Sequence, residues 1–228
     1  MAKAIDLHST YRGFESLLAY HSMSLIDTYF DKIFYLSLEK DGERRVNLLQ
    51  QFEKYDVTNI EWVKGSKINN LPNFDLYRNF IKNDSKYVIG QLGCRSAHLS
   101  AVKLAYERNY ERVLIFEDDI QFLADPSEIL RQNIDHIANW NMLYFGGLVE
   151  PMFRNQIVCA HAYAINRAVM SDILCMAEAS GMEIDNFYAK IIQHMSFNYN
   201  RTGKYNIQLL HPFNLIIQNK HFVSNIQT

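Results

Sequence analysis

The segment GCRSAHLSAVKLAYERNYERVLIFEDDI, residues 93–120, constrains the fold of this chain more than any other. Ala97, Ala101, Leu104 and Ala105 recur at helical spacing and mark one apolar face. The run Val113, Leu114, Ile115, Phe116 is short and rich in strand formers, the pattern of a strand covered on both faces of a parallel-type sheet. Glu117, Asp118 and Asp119 emerge at its C-terminal end. In open α/β sheets ligands bind at that end, and carboxylates packed so tightly repel one another unless a cation or donor hydroxyls compensate.

The rest of the chain extends the same alternation. Ile33–Leu38 reads as a buried strand, followed by a charged loop from Glu39 to Arg45 that feeds the amphipathic helix VNLLQQFEKY. Ile60–Val63 reads as a short strand closed by Gly65, and the region to about Ile89, with Pro72 and many Asn and Asp, as loop with one short helix. Asp125-Pro126-Ser127-Glu128 starts a helix. Strand Met142–Phe145, a Gly146-Gly147 turn, strand Cys159–Ile165, a helix from Asn166-Arg167 to near Gly181, and a helix Ile184–Met195 follow. Ile207–Leu210 and Leu215–Ile217 are late strands flanking Pro212. The alternation predicts an α/β sandwich with a mainly parallel sheet. Residues 1–28 read as an irregular or helical lead-in and 29–228 as a single domain.

Length and composition bound the function. The 228 residues, 48% hydrophobic, suffice for one substantial core. A net charge of −2 provides no field to attract nucleic acid, so no nucleic-acid partner is expected. Three cysteines, Cys94, Cys159 and Cys175, are too scattered for a disulfide framework or zinc cluster and suggest a reducing compartment. With no secretory leader or membrane-length apolar run in view, the expectation is a cytoplasmic protein without a transmembrane segment.

A strand-end acid group can hold Mg²⁺ or Mn²⁺ through one or two carboxylates while leaving positions open for the phosphate oxygens of a nucleotide. Asp119 is the expected metal ligand, and Glu117 or Asp118 the expected acceptor of ribose hydroxyls. Paired acids also occur as solvated caps, so the surrounding blocks matter.

Those blocks resemble glycosyltransferase family 25, which includes lipooligosaccharide glycosyltransferases and procollagen galactosyltransferases. The likeness rests on the glycine-cysteine and serine-histidine helix with its acidic strand end, and on KIFYLSLEKDGERR, WVKGSKI, LYFGG, HAYAINRAVM, IDNFY and PFNLIIQNKHFVSNI in order. Ser37 stands where the family usually has asparagine, and Asn225 where aspartate is common. The resemblance spans about residues 31–226. It implies a GT-A fold, a nucleotide-sugar donor, Mn²⁺ or Mg²⁺, and transfer of a hexose to a hydroxyl of a glycan or a hydroxylysine-type acceptor.

Carried onto this sequence, it implies that Leu36, Ser37 and Leu38 contact the nucleotide base, with Arg44 or Arg45 near base or phosphates. Ser96 and His98 support the donor site, as do Glu117 and Asp118, and Gly146 and Gly147 bring backbone close to the donor sugar. His161 falls on the acceptor side. Asp185 is the candidate general base, with Glu183 as its neighbouring competitor. His211 is a candidate metal ligand beside Asp119, with Glu117 rather than aspartate at the first acidic position. Each has a structural alternative: a helix cap for Asp185, a buried hydrogen-bonded group for either histidine, an ordinary turn for the glycines. Two other functions fit the same acids: a nucleotide-sugar or glycan-binding module without turnover, and a sugar-phosphate nucleotidyltransferase. The latter lacks its glycine-rich basic loop after the first strand.

Overall fold

The structure, a computed structural model, describes residues 24–65, 86–137, 139–150, 156–180, 182–193, 205–210, 215–219 and 221–222. The first described element is a short helix, α1 (Leu25–Tyr29), and β1 (Lys32–Leu38), α2 (Gly42–Lys54) and β2 (Ile60–Gly65) follow it. The long helix α3 (Lys86–Glu107) leads into β3 (Arg112–Glu117), β4 (Ile120–Phe122) and α4 (Pro126–Asn133). After β5 (Met142–Glu150) and β6 (Gln156–Asn166) come α5 (Arg167–Ser180) and α6 (Ile184–Phe187), which continues as a π-helical turn, Tyr188–Gln193. Two short strands close the described chain, β7 (Ile207–Leu209) and β8 (Ile216–Gln218).

Six strands form one sheet in the order β2-β1-β3-β6-β5-β7. β1 pairs in parallel with β2 and β3, and β5 with β7, whereas β6 runs antiparallel to both of its neighbours. Five strands therefore point one way, and the GT-A type of sheet is present. Its two faces carry separate cores. Phe34, Val113, Ile115 and Tyr163 pack with α3, α5 and α6; Ile33, Leu114, Phe116 and Ala164 pack with α1, α2 and α4. A strand buried on both faces explains why residues 113–116 read as an unbroken apolar run. The helix start at Asp125 behaves as its sequence indicates: Asp125 Oδ1 accepts the Ser127 N–H at 2.8 Å, and Pro126 occupies the first turn.

Four local expectations change. Helix α2 begins at Gly42, so Glu43, Arg44 and Arg45 lie in its first turn rather than in a loop. Helix α3 begins at Lys86, earlier than Gly93, because Gly90 and Gly93 are tolerated within a long packed helix. Gly146 and Gly147 do not form a turn. They lie inside β5, where the pairing to β6 shifts register. Finally, the predicted helix from Ile184 is one α turn followed by the wider π turn. Residues 66–85, which include most of the expected loop, are outside the described residues, as are His211, Ser224 and Asn225.

The short strands β4 and β8 pair antiparallel, Ile120 with Gln218 and Phe122 with Ile216. They lie directly after the acidic strand end and fasten it: the Asn219 N–H donates to the Asp119 carbonyl at 2.6 Å.

Candidate active site

Three elements converge on the C-terminal end of β3. The acids arrive on the strand itself and the tight turn into β4. Arg44 comes from the first turn of α2, and its guanidinium reaches Asp118 Oδ1 at 3.2 Å and Asp119 Oδ2 at 3.6 Å. All three side chains are nearly excluded from solvent. The Arg44 guanidinium thus faces two buried carboxylates. The other oxygen of each, Asp118 Oδ2 and Asp119 Oδ1, is buried with no hydrogen-bond partner among the described residues.

Buried anionic oxygens without donors are costly. Burial and the neighbouring Glu117 charge push the Asp119 carboxyl up to about 7 despite Arg44, and burial raises Asp118 against the pull of the Ser37 hydroxyl and Arg44. Buried carboxylate oxygens of this kind suit a hard divalent cation, which would satisfy an orphaned atom and leave other coordination positions to a ligand. Asp119, with Asp118 beside it, are the residues that would hold it.

Glu117 has different surroundings. Its Oε1 lies 3.1 Å from His98 Nε2 and accepts from the Cys94 thiol at 3.4 Å; its Oε2 accepts from the Gln218 amide at 3.3 Å. Burial alone would raise its pKa, but the hydrogen bond and charge of His98 hold it well below the usual carboxylate range. Cys94 and His98 stand one helical turn apart on α3, so both meet the strand end from one helix face. Cys94, His98 and Glu117 also form a compact group of potential metal ligands. Hydrogen bonds already account for that closeness, and burial together with the Glu117 charge keeps the thiol protonated. Behind His98, Nδ1 lies 2.9 Å from the Tyr163 hydroxyl, itself 3.0 Å from that of Tyr188.

A bulge brings in the last group. β5 and β6 pair Gly146 with Ala162 and Leu148 with Val158, so Gly147 stands opposite Cys159, Ala160 and His161. Cys159 takes a left-handed φ of 72°, a conformation that costs about 1 kcal/mol or more in a non-glycine residue. The distortion frees the Ala160 N–H from the ladder, and it donates to Asp185 Oδ1 at 2.7 Å. The second Asp185 oxygen has no protein hydrogen bond among the described residues. Burial and the Glu117 charge raise Asp185 to about 6, opposed by the Ala160 bond. Glu183 differs, since the side-chain amides of Gln91 and Asn186 occupy both of its oxygens.

His161 Nε2 donates to the Ile216 carbonyl at 3.0 Å, leaving Nδ1 buried without a partner among the described residues; burial lowers its pKa. Gly146 is required by this crowding. A Cβ there would come within 2.6 Å of His161 Nε2 and still closer to the Ile216 carbonyl. The nearest neighbours of Gly146 are therefore protein atoms. On the β1 side, Arg45 is tied to Ser37 Oγ at 3.2 Å, to the Leu38 carbonyl and to Glu39 O at 2.8 Å, and lies over the Trp62 ring. Arg44 is thus the arginine that reaches the acids. Leu36 and Ser37 are buried at the end of β1, Leu38 is half-buried, and Ser96 is half-buried on α3.

Residues 30–160 match Glycosyltransferase family 25 (LPS biosynthesis protein). The chain belongs to glycosyltransferase family 25. Among relatives of this family 25 chain, human procollagen galactosyltransferase 2 is 27% identical over 130 residues, covering 51% of this chain and 21% of that protein. A glycosyltransferase 25 family member of Anopheles gambiae is 26% identical over 125 residues, 50% and 21% of the two chains. The human inactive glycosyltransferase 25 family member 3 is also 27% identical over 130 residues, covering 51% and 22%. The match thus spans about a fifth of these relatives' length. Among solved structures, a glycosyltransferase involved in the glycosylation of the major capsid of PBCV-1 superposes with TM-score 0.45 at 10% identity, covering 78% of this chain and 81% of its own. A cytidylyltransferase from Leptospira borgpetersenii gives TM-score 0.40 at 13% identity, covering 78% and 74%.

Cys94, Tyr163, Tyr188 and Gln218 of this family 25 chain had no site role from the sequence, yet all hydrogen-bond within the acid and histidine network. Cys94 carried a signal, its i, i+4 spacing to His98. The tyrosines and Gln218 carried none, because only the folded sheet brings them near.

Proposed function

We propose that this chain transfers a hexose, galactose or glucose, from a UDP-sugar to an acceptor hydroxyl with inversion. The observation that carries the reading is the buried Asp118–Asp119 pair, with one oxygen of each carboxylate lacking a hydrogen-bond partner among the described residues, in a chain of this family. A bound Mn²⁺ or Mg²⁺ would supply charge stabilisation to the departing diphosphate. Leu36, Ser37 and Leu38 flank the nucleotide, and Arg44 adds a fixed positive charge beside it. Glu117 accepts a hydroxyl of the donor.

Asp185 then removes the proton of the acceptor hydroxyl. As that O–H bond breaks, the oxygen bonds to sugar C1, and the bond from C1 to the diphosphate breaks with its electron pair leaving on UDP. A carboxylate held near pH 6 suits a general base at neutral pH. Its second oxygen is the one available to the hydroxyl, which favours it over Glu183.

The acceptor is a glycan or a hydroxylysine-type side chain. The lipopolysaccharide label of the family supports the first and the procollagen galactosyltransferase relatives support the second. A reducing, cytosolic setting belongs to the same proposal. A second reading, a nucleotide-sugar-binding module without turnover, is favoured by one observation: an inactive family member is as identical to this chain, 27% over 130 residues, as human procollagen galactosyltransferase 2. Calorimetry and transfer assays on two variants separate the roles. Asp119→Ala loses Mn²⁺-dependent UDP-sugar binding, whereas Asp185→Ala keeps it and loses transfer. Parent-like behaviour of both would sink the assignment.

A further inference from the structure

Strand β6 outruns the strand beside it. Its pairing with β3 stops at Ala162, opposite Phe116, because the chain turns off into β4 after the acids. On that side residues 156–161 have no paired strand among the described residues. Side chains of one short element, α6 with its π turn, meet the backbone there instead. Asp185 Oδ1 accepts the Ala160 N–H at 2.7 Å. Gln193 accepts the Ile157 N–H on Oε1 at 2.8 Å, and its amide nitrogen donates to the Ile157 carbonyl at 2.6 Å and to the Tyr144 hydroxyl at 3.2 Å. The Gln193 amide is fully buried and exchanges both bonds with Ile157, as a residue of a neighbouring strand would.

A regular strand could not be held this way. Successive N–H groups point to opposite edges, so those of residues 157 and 160 would face away from each other. They meet one element because the alternation breaks between them. Gly146 faces Ala162 and Leu148 faces Val158, and within that irregular stretch Cys159 is the residue with a left-handed φ, 72°. A bulge of this kind re-aims the groups that follow it. β5 makes room for it: a Cβ on Gly147 would come within 2.8 Å of Ile157 Cγ2 and 3.0 Å of the Val158 carbonyl oxygen.

We propose that Gln193 and Cys159 are positioning residues for Asp185. Gln193 anchors β6 at Ile157, the left-handed Cys159 turns the Ala160 N–H to the same side, and that N–H fixes which Asp185 oxygen is left for the acceptor hydroxyl. This rests on the reading of Asp185 as the base. Cys159 acts through its backbone rather than its thiol: glycine adopts positive φ freely, whereas a β-branched residue resists it. An apolar side chain in place of Gln193 leaves the buried Ile157 N–H and carbonyl without their partner. β6 then shifts to recover bonds, the Ala160 N–H leaves Asp185, and the carboxylate loses its aim.

The test joins amide hydrogen exchange, read by NMR without donor, to the kinetics of UDP release from UDP-galactose and UDP-glucose with Mn²⁺, water serving as the acceptor. In the parent the Ile157 and Ala160 amides should both be protected. Gln193→Met should expose both and lower kcat by roughly tenfold to a hundredfold, with donor KM little changed. Cys159→Val should show lower kcat and weaker Ala160 protection than Cys159→Gly, a comparison that serves if Gln193→Met fails to fold. A purely structural role would lower stability and leave kcat per folded molecule at the parent value. A folded Gln193→Met protein with parent kcat therefore overturns the proposal, as does equal kcat in the two Cys159 variants. A parent that releases UDP from neither sugar overturns the reading of Asp185 as the base instead, and Ala160 protection in Gln193→Met then decides the positioning by itself.

Discussion

Replacing Asp185 by Asn should stabilise this protein at neutral and alkaline pH while removing transfer. Burial and the Glu117 charge lift the Asp185 carboxyl from 3.8 to about 6. A folded-state pKa raised above the unfolded one means that folding favours the protonated acid. The favourable contribution is complete below about pH 4 and is lost as pH rises through about 6. Two pH units at about 1.4 kcal/mol each set a ceiling of about 3 kcal/mol on the cost of the charge. The carboxylate is only half-buried, which brings the expected figure to about 1–2 kcal/mol. Asn keeps an oxygen to accept the Ala160 N–H, so that bond survives. Denaturant unfolding of parent and Asp185→Asn, both with chelator and without donor, should show no difference near pH 4. A gap favouring the variant should open through about pH 6 and level off near pH 8. A gap that is constant with pH, or that favours the parent at alkaline pH, would refute the reasoning. In the same variant kcat should fall by roughly 10²–10⁴ if the carboxylate is the general base.

Transfer by the parent should rise about tenfold per pH unit below about 6 and level off above it, as a single ionising base requires, read from kcat/KM against pH with saturating Mn²⁺. Arg44→Met removes the guanidinium that faces Asp118 and Asp119, and should cost about 3 kcal/mol of stability without metal by leaving buried charge unpaired. Added Mn²⁺ should return much of that loss, measured by thermal unfolding with and without chelator. Gly146→Ala drives a Cβ against the Ile216 carbonyl and His161 Nε2. It should destabilise by about 1–3 kcal/mol and loosen β8, visible as faster hydrogen exchange at residues 216–218.

The parts of this site that were legible are those carried by local pattern. The apolar run at 113–116 could only be a covered strand, and the acids after it had to emerge at a sheet edge. The helix over 167–180 was bracketed by its start at Asn166-Arg167 and its stop near Gly181. Other parts had competing local signals. Gly146-Gly147 has the composition of a turn, yet it lies within a strand, where the β8 backbone and His161 crowd Gly146 and β6 atoms crowd Gly147 too closely for side chains. β4 escaped notice because three residues carry no measurable alternation. The antiparallel course of β6 and the reach of Arg44 to both aspartates are long-range facts that no window along the chain contains. Arg44 and Arg45 read as neighbours in one charged loop, but the fold places both in the first turn of α2 and divides them. Arg44 points to the acids, and Arg45 folds back on Ser37 and Trp62.

The central claim is that the acidic strand end is a metal-dependent UDP-sugar site with turnover. Its most direct test is release of free UDP from a panel of UDP-sugars by the purified protein, with Mn²⁺ and with chelator, in the absence of acceptor. The account predicts slow hydrolysis of UDP-galactose or UDP-glucose that chelator abolishes and Asp119→Ala lacks. Failure to release UDP from any sugar, together with failure to bind any of them in the presence of Mn²⁺, would contradict it.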